Sequence, residues 1–177
     1  MVNKGIIFNK EKFKQVLHYI ISKTGCFPNV GKTVLFKMLY FSDFDYYEIN
    51  EEPITGEVYI KLPQGPAPKH FNEILEELKS EKKVKEFKRN IGKHKENLIK
   101  FVSLIEPIID KLNIKEKEQI DNVLQKLSAM NATQVSGYSH EDIPWKATED
   151  KKEIDYEFVF YRDETYSVRN KEQELIN

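Results

Sequence analysis

The triplet Gly31-Lys32-Thr33 has the residue types that end a phosphate-binding loop, in which backbone amides and a lysine hold the phosphates of a nucleotide. That loop has the pattern G-x-x-x-x-G-K-[ST], but five residues separate Gly25 from Gly31 here. One of the five is Pro28, which has no amide N–H to donate. The apolar residues before Gly25 recur with the period of an amphipathic helix, whereas a phosphate-binding loop follows a strand. We therefore predict a connection between two helices, with Asn29 or Thr33 as the cap of the second, and no nucleotide or other cofactor.

Ser139, His140 and Asp142 have the residue types of nucleophilic catalysis. Catalytic triads are assembled from separated segments, so neighbours in one short stretch rarely face one another. None of the four histidines lies at the His-x-x-x-His spacing that places two zinc ligands on one helix face. We predict no catalytic residue and no metal site, although a small hydrolase centred on His140 remains an alternative. In the structural interpretation, Ser139 or Asp142 bonds free backbone groups at a helix end, and Trp145 fills the core.

The composition of the whole chain favours a cytoplasmic protein. The 177 residues include 28 Lys or Arg and 29 Asp or Glu, so the bulk charge predicts neither nucleic-acid nor membrane binding. The single cysteine excludes an internal disulfide and fits a reducing compartment. The chain has no apolar run close to the ~20 residues of a membrane span and no signal-peptide pattern.

The basic segment Lys79–Lys95 carries eight Lys or Arg against two Glu, a local charge of +6. Such a segment could bind nucleic acid, but Phe87 is its only aromatic residue for base stacking, so we consider nucleic acid unfavoured. The preferred interpretation is a solvated edge whose lysines oppose sheet-to-sheet aggregation, and an acidic partner surface is the second. The candidate partner-binding residues of this segment are Lys83, Lys85, Lys88 and Arg89.

The elements that position these residues begin with two helices. Asn9 has the type of a helix cap, and the apolar spacing predicts a first helix to about Lys23. The second helix, predicted over 32–47, is unusually aromatic, so we expect it to be buried on more than one side at the centre of the domain.

A turn, a short strand and a proline-rich loop are predicted next. Residues 57–62 alternate between apolar and polar types, as expected for a half-buried strand. Three prolines and a glycine in 63–68 predict a stiff loop that takes no part in a ladder. A stiff loop loses little entropy on docking and suits protein recognition, although it could equally be a spacer. The candidate partner-binding residues here are Tyr59, Lys61, Pro63, Gly65 and Pro66.

The rest of the chain predicts further helices and a hairpin. A helix begins near Phe71, and 84–98 is a basic hairpin with a turn at 90–92 or, alternatively, a basic helix. Capping signals at Asn113 and Asn131 start two more helices, and 154–161 has the composition of an edge strand. The fold class is therefore α+β, mostly α-helical, with helices around an aromatic central helix and a small antiparallel sheet. We expect one domain over 1–162 and a charged, flexible tail over 163–177.

Three motifs in register resemble the Panacea domain family of SocA-like antitoxins. Leu39-Tyr40-Phe41-Ser42-Asp43 is similar to the first family motif. Pro53-Ile54-Thr55-Gly56 and Gly65-Pro66-Ala67-Pro68 are similar to the second, and Ser139-His140 with Pro144-Trp145 to the third. The resemblance covers about 13–148, and the motif residues expected to be structural or binding are Tyr40, Asp43, Gly56, Ser139, His140 and Trp145.

The resemblance implies an antitoxin, a non-enzymatic protein that neutralises the toxin encoded beside it by direct contact. One mode implied by the family is delivery of that toxin to a AAA+ protease, with the antitoxin as adaptor. No helix-turn-helix addition for operator binding is recognisable in the sequence, and the family offers no catalytic residue to carry over. The toxin's identity and the oligomeric state stay open.

Overall fold

The computed structural model describes residues 2–91 and 96–169. In chain order these residues form α1 Lys10–Thr24, α2 Lys32–Asn50, β1 Tyr59–Leu62, β2 Gly65–Pro68, α3 Phe71–Ser80, β3 Val84–Ile91, β4 Glu96–Ser103, α4 Ile114–Leu127, α5 Ala132–His140, α6 Ile143–Ala147 and a 3-10 helix Tyr156–Tyr161. Strands β1 and β2 pair antiparallel, as do β3 and β4. The predicted class, α+β and mostly helical, is confirmed, with two small antiparallel sheets in the described chain.

Helix α2 lies at the centre of the domain. It contacts α1, α4, α5, β2 and the 3-10 helix, which leaves little of its surface exposed. Aromatic rings fill the space around it: Phe44 stacks on Tyr156 with 4.2 Å between ring centroids, and Tyr40 lies 4.2 Å from Phe44. Each such buried ring contributes about 2 kcal/mol of hydrophobic stabilisation. The expectation that α2 is buried on more than one side is therefore confirmed.

The helix starts are set by asparagine caps. The Asn9 side chain accepts a hydrogen bond from the Lys12 amide at 3.0 Å. Asn113 and Asn131 each form a full capping box, in which the side chain three residues later bonds back to the cap's amide. These predicted helix starts are confirmed.

The cap predicted for α2 is wrong. Gly31 occupies the cap position and provides no side-chain hydrogen bond. Asn29, one of the two predicted caps, is engaged elsewhere: its side-chain amide donates to the carbonyls of Ser128 and Met130, both at 2.7 Å. The asparagine thus joins the α1–α2 connection to the segment after α4, a contact about one hundred residues away in sequence that no local pattern reveals.

The proline-rich segment is a strand, which corrects the prediction of an unpaired loop. In β2, Pro66 pairs with Lys61 and Pro68 pairs with Tyr59. Antiparallel partners alternate between hydrogen-bonded and non-hydrogen-bonded positions. The Lys69 amide donates to the Val58 carbonyl at 2.9 Å, so Val58 and Lys69 form a hydrogen-bonded pair. Pro68 and Pro66, one and three residues earlier, therefore fall at non-hydrogen-bonded positions that need no N–H. Both prolines therefore fit the ladder of an edge strand.

The basic segment forms the predicted hairpin of β3 and β4, and the alternative basic helix is wrong. The hairpin continues to Ser103 instead of ending near 98, because Phe101 faces the core and is 2% exposed. Val84, also 2% exposed, lies opposite Ser103 at the same end. Part of the predicted turn, Gly92, lies outside the described residues.

The edge strand predicted at 154–161 is also wrong. This segment forms the 3-10 helix, preceded by a single bridge between Ile60 and Glu153. Side chains three residues apart eclipse in a 3-10 helix, so Tyr156 and Val159 both point into the core, at 1% and 0% exposure. The burial of these two side chains outweighs the strand propensity of the segment, which therefore forms a 3-10 helix.

The chain after the 3-10 helix contacts the body of the domain up to the end of the described residues. Ser167 is buried, and its hydroxyl donates to Glu48 at 2.6 Å. Residues 170–177 of the predicted tail lie outside the described residues, so the domain boundary at 162 stays a prediction. Among the helices that the structure describes, none combines the length and the apolar character needed to cross a membrane.

Candidate functional site

The carboxylate of Asp43 joins three parts of the fold beneath the motif segments. It accepts hydrogen bonds from the Thr55 amide at 2.7 Å, the Thr55 hydroxyl at 2.6 Å and the Tyr59 hydroxyl at 2.8 Å. Burial raises the pKa of Asp43 to about 6, although these hydrogen bonds oppose the shift. Gly56 has φ at +68°, and a Cβ atom there would lie 2.4 Å from the Ile7 carbonyl oxygen. Asp43 and Gly56 therefore support the fold and are not free to contact a partner.

Tyr40 and Asp142 link the first motif to the last. The Tyr40 hydroxyl donates to Asp142 at 2.8 Å, and the Arg162 guanidinium bonds both oxygens of the same carboxylate at 2.8 Å. Arg162 also donates to Asp45 and Glu48, each at 2.8 Å. We call Asp45, Glu48, Asp142 and Arg162 the Arg162 cluster.

The Arg162 cluster holds three buried carboxyl groups against one buried guanidinium. Burial, with a smaller contribution from Asp142, raises the pKa of Asp45 to about 6, while Arg162 acts in the opposite direction. Burial disfavours the charge of Arg162, but Asp142 and Asp45 outweigh it and hold its pKa above the ordinary value. Such a cluster is costly to break, because removing one partner leaves buried charge uncompensated.

Lys37 is a second buried cation, and it has no carboxylate partner within the described chain. It is 1% exposed, and its ammonium donates to the Pro66 carbonyl at 3.0 Å. Burial lowers its pKa to about 7. A Cβ atom on Gly65 would lie 2.5 Å from Lys37 Cε and closer still to Ser139 Oγ. The second and third motifs therefore meet over Lys37.

Above these buried groups lies a partly exposed edge that we call the Trp145 surface, made of the half-buried Lys61, His140 and Trp145 and the exposed Pro63. The His140 ring stacks on the Trp145 ring with 4.2 Å between centroids, and Lys61 Nζ lies 4.2 Å from the Trp145 centroid. The indole N–H donates to the Leu62 carbonyl at 3.3 Å. Trp145 is half-buried and packs against the edge of the core, whereas the sequence predicted that it fills the core.

Ser139, His140 and Asp142 are engaged separately. The Ser139 hydroxyl donates to the Ser136 carbonyl at 2.9 Å, as expected for local bonding at a helix end. Asp142 makes no side-chain cap at α6, because Tyr40 and Arg162 occupy its carboxylate. His140 Nε2 is buried with no hydrogen-bond partner among the described residues. The three side chains do not form the nucleophile–base–acid relay of a hydrolase.

The predicted partner-binding residues of the 59–66 segment divide between interior and surface. Tyr59 is 0% exposed, and Gly65 and Pro66 are buried, so these three support the hairpin from within. Lys61 is half-buried and Pro63 is exposed at the turn. Of the five, Pro63 has an exposed side chain, whereas the Lys61 side chain is 12% exposed and its ammonium donates to the Thr148 carbonyl at 2.8 Å.

The predicted residues of the basic hairpin lie mostly on the surface. Lys83 is half-buried and pairs with Glu81 at 2.6 Å. Lys85, Lys88 and Arg89 are exposed, and none lies within ion-pair distance of a carboxylate that the structure describes. Their positive charge is therefore open to a partner.

The Gly31-Lys32-Thr33 triplet follows a helix and opens α2, as the spacing predicted. Lys32 Nζ donates to the Asn72 side chain at 2.9 Å. Within 2–91 and 96–169, no group of three or more His, Cys, Asp or Glu side chains could hold a metal ion.

Sequence reasoning missed the buried charges. Lys37 and Lys100 each stand in an apolar run, which was a usable signal, and both prove to be buried at 1% and 2% exposure. Arg162 gave no signal, because its partners Asp45 and Glu48 are more than one hundred residues away in sequence.

Comparison with known proteins gives one match. A family model described as "Antitoxin SocA-like, Panacea domain" matches residues 35–146, more than half of the chain. All six motif residues named from the sequence fall inside this range, and the match confirms the resemblance. No curated protein and no solved structure matches the chain.

Proposed function

Since the chain belongs to the SocA-like antitoxin family, the Panacea domain, we propose that it neutralises a partner toxin by direct protein contact. The observation that carries the proposal is the family match over 35–146. An antitoxin-like role follows from membership and fits a non-enzymatic protein. The separate engagement of Ser139, His140 and Asp142 supports this choice over the hydrolase alternative.

The Trp145 surface is the contact site that we propose. Tryptophan is enriched among the residues that dominate binding energy at interfaces, because one rigid ring buries a large area. Here the ring is already held by His140 on α5 and by Lys61 on β1. A partner that covers Trp145 would therefore bind a side chain that the fold already holds in place, so little side-chain entropy is lost on binding.

The buried groups beneath the surface support the same proposal. Lys37 holds β2 through the Pro66 carbonyl, and Tyr40 holds the start of α6 through Asp142. The motif residues thus fix the positions of Lys61 and Trp145 from inside. This arrangement explains why a binding protein would carry motif residues that no partner can contact.

Co-expression with the product of the neighbouring gene tests the proposal. The wild-type protein should restore growth to cells that the partner alone inhibits. Trp145→Ala should weaken binding about thirtyfold, which corresponds to the ~2 kcal/mol of a residue that dominates an interface. Ile114→Ala is the matched control, because Ile114 is an exposed apolar residue, at 77%, at the start of α4. A partner that is harmless alone, or that remains toxic beside the wild-type protein, would contradict the proposal.

Two modes of neutralisation are compatible with this surface: occlusion of the toxin's active surface and presentation of the toxin to a AAA+ protease. The lifetime of the toxin in cells separates them. Occlusion leaves the toxin's half-life unchanged or longer, whereas delivery shortens it, and only in cells that contain the protease. Growth rescue with an unchanged toxin level would establish occlusion.

A further inference from the structure

Two adjoining cavities form one groove beside the start of α2. The first, of about 460 Å³, lies between the β1–β2 turn at Pro63 and helix α5 as far as His140. The second, of about 210 Å³, continues to Leu98 on β4. Thr33 and Ala132 line both cavities, so the two are continuous. We call the combined feature the α2 groove; its first half shares Pro63 and His140 with the Trp145 surface.

The described lining of the α2 groove includes a positive charge and no carboxylate. Among the residues that the structure describes, no Asp or Glu lines the groove, while Lys32 and His140 both do. Lys32 bonds the neutral side chain of Asn72 and lies over the rings of Phe36 and Phe71, and it forms no ion pair with a carboxylate of the described chain. The uncapped N-terminus of α2 at Gly31 adds the positive end of a helix dipole to the same place.

The basic hairpin extends this positive charge at the far end of the groove. Arg89 lies directly across from Leu98, and cross-strand partners point to the same face of a sheet. The Leu98 side chain lies against Gly31, where a Cβ atom would be 2.5 Å from it, so this face of the hairpin is turned toward the groove. Arg89 is exposed and has no carboxylate in ion-pair distance among the residues described.

The hairpin is fixed in that position by a buried lysine. Lys100 is 2% exposed, and its ammonium donates to the Val30 carbonyl at 3.0 Å and to the Phe27 carbonyl. Both acceptors belong to the connection that leads into α2. Lys100 therefore fastens β4 to the connection that leads into α2, next to the pair of Arg89 and Leu98.

His140 supplies an observation independent of these charges. Its Nε2 is buried and lacks a hydrogen-bond partner in the described chain, and its ring is one wall of the groove. This atom is closed to solvent in the present conformation, so a carboxylate in the groove would bond it only after a shift of the ring or its neighbours.

From these features we infer that the α2 groove receives an acidic, extended segment of the partner toxin, anchored at His140 and ending at Arg89. The inference rests on the proposed function and specifies which part of the partner is recognised. A carboxylate-bearing segment fits because the described lining contains no Asp or Glu, Lys32 is part of it, and Arg89 lies on the hairpin face at its far end. An elongated shape fits because the groove is two joined cavities instead of one deep pocket.

Opposite charges placed at one position test the inference. Thr133 lines the groove and is exposed near the start of α5, so both Glu and Lys fit there without entering the core. We expect Thr133→Glu to weaken binding of the purified neighbouring gene product about tenfold, and Thr133→Lys to leave it unchanged or tighter. The difference should shrink as salt is raised from low to physiological concentration. Ser80, exposed at the end of α3 and outside both cavities, is the control position for the same two changes.

Each other outcome contradicts the inference in a distinct way. If Glu and Lys at position 133 weaken binding equally, the groove is used but charge does not select its occupant. If neither changes the affinity, the groove does not take part. If the wild-type protein forms no complex with the product, the proposed function fails and the inference falls with it, a result that the variants alone cannot produce.

Discussion

At the scale of single residues, Lys37 is the most unusual feature of the domain. Its ammonium has one hydrogen-bond acceptor, the Pro66 carbonyl, and no ion-pair partner among the residues described. Desolvation lowers its pKa from 10.5 to about 7. Near neutral pH, Lys37 is therefore fully protonated in the unfolded chain but protonated in only part of the folded molecules. This difference in proton binding means that Lys37 lowers the free energy of unfolding relative to a neutral side chain at the same position.

Replacing Lys37 with methionine should stabilise the protein, and the gain should depend on pH. Below pH 7 both states bind the proton and the gain is largest, on the order of a few kcal/mol. Between pH 7 and 10.5 the folded state has released the proton and the unfolded state has not, so the stability of the wild type rises with pH. Thermal unfolding of both proteins from pH 6 to pH 10 should show the two curves converging.

The control for Lys37→Met is Lys115→Met, at an exposed position of α4. Its effect on stability should be small and independent of pH. If the advantage of Lys37→Met stays constant up to pH 10, the buried amine keeps its ordinary pKa. If the variant loses stability at every pH, the hydrogen bond to Pro66 outweighs the desolvation of the charge.

At the scale of elements, β2 depends on a glycine that no other residue can replace without strain. Gly65 has φ at +102°, a region that L-residues rarely adopt. Its neighbours on α2 and α5 leave no space, since a Cβ atom would lie 2.5 Å from Lys37 Cε and 2.4 Å from Ser139 Oγ. The backbone conformation and the close approach of the hairpin thus select glycine independently.

Gly65→Ala should therefore lower the free energy of unfolding by about 3 kcal/mol, from backbone strain and overpacking together. Gly137 provides an opposite control inside α5, because no atom lies within 4 Å of a Cβ placed there. Gly137→Ala should raise the free energy of unfolding by up to about 1 kcal/mol, as alanine favours a helix over glycine. Chemical denaturation measures both, and equal effects of the two substitutions would disprove the role assigned to Gly65.

At the scale of the whole molecule, the chain beyond the family match completes the interior of the matched region. The match ends at residue 146, yet Arg162 bonds Asp45, Glu48 and Asp142 inside it. The Arg162 cluster thereby fastens the C-terminal part of the described chain to α2 and to the segment before α6. Residues 35–146 alone would leave three buried carboxyl groups without their guanidinium.

Arg162→Met should cost about 3–5 kcal/mol of stability at pH 7, because it leaves buried carboxylates unpaired. The loss should shrink as the pH is lowered toward 5, since protonated carboxyl groups need no counter-charge. Lys146→Ala breaks the exposed pair with Glu141, 2.9 Å long, and should cost at most about 1 kcal/mol. Thermal unfolding at the two pH values measures the difference, and a loss for Arg162→Met no larger than that for Lys146→Ala would show that the cluster contributes little.

The sequence by itself determined the features that short stretches encode. Three helix starts could be predicted from Asn9, Asn113 and Asn131, because a cap side chain bonds a backbone amide only a few residues away. The aromatic content of α2 revealed a central helix, and the motifs around Tyr40, Gly65 and Trp145 revealed the family.

Only the tertiary structure decided which charges are buried and which motif residues face solvent. Apolar neighbours indicate burial for Lys37 and Lys100 but not for Arg162, and the acceptors that bond all three side chains come from distant segments. The same holds for β2, whose prolines fit a ladder only in the register set by β1, and for Tyr156, which packing on Phe44 draws into a 3-10 helix. Local propensity is a matter of fractions of a kcal/mol to about 1 kcal/mol per residue, whereas burying a ring or pairing a buried charge involves several, so long-range packing prevails where the two conflict.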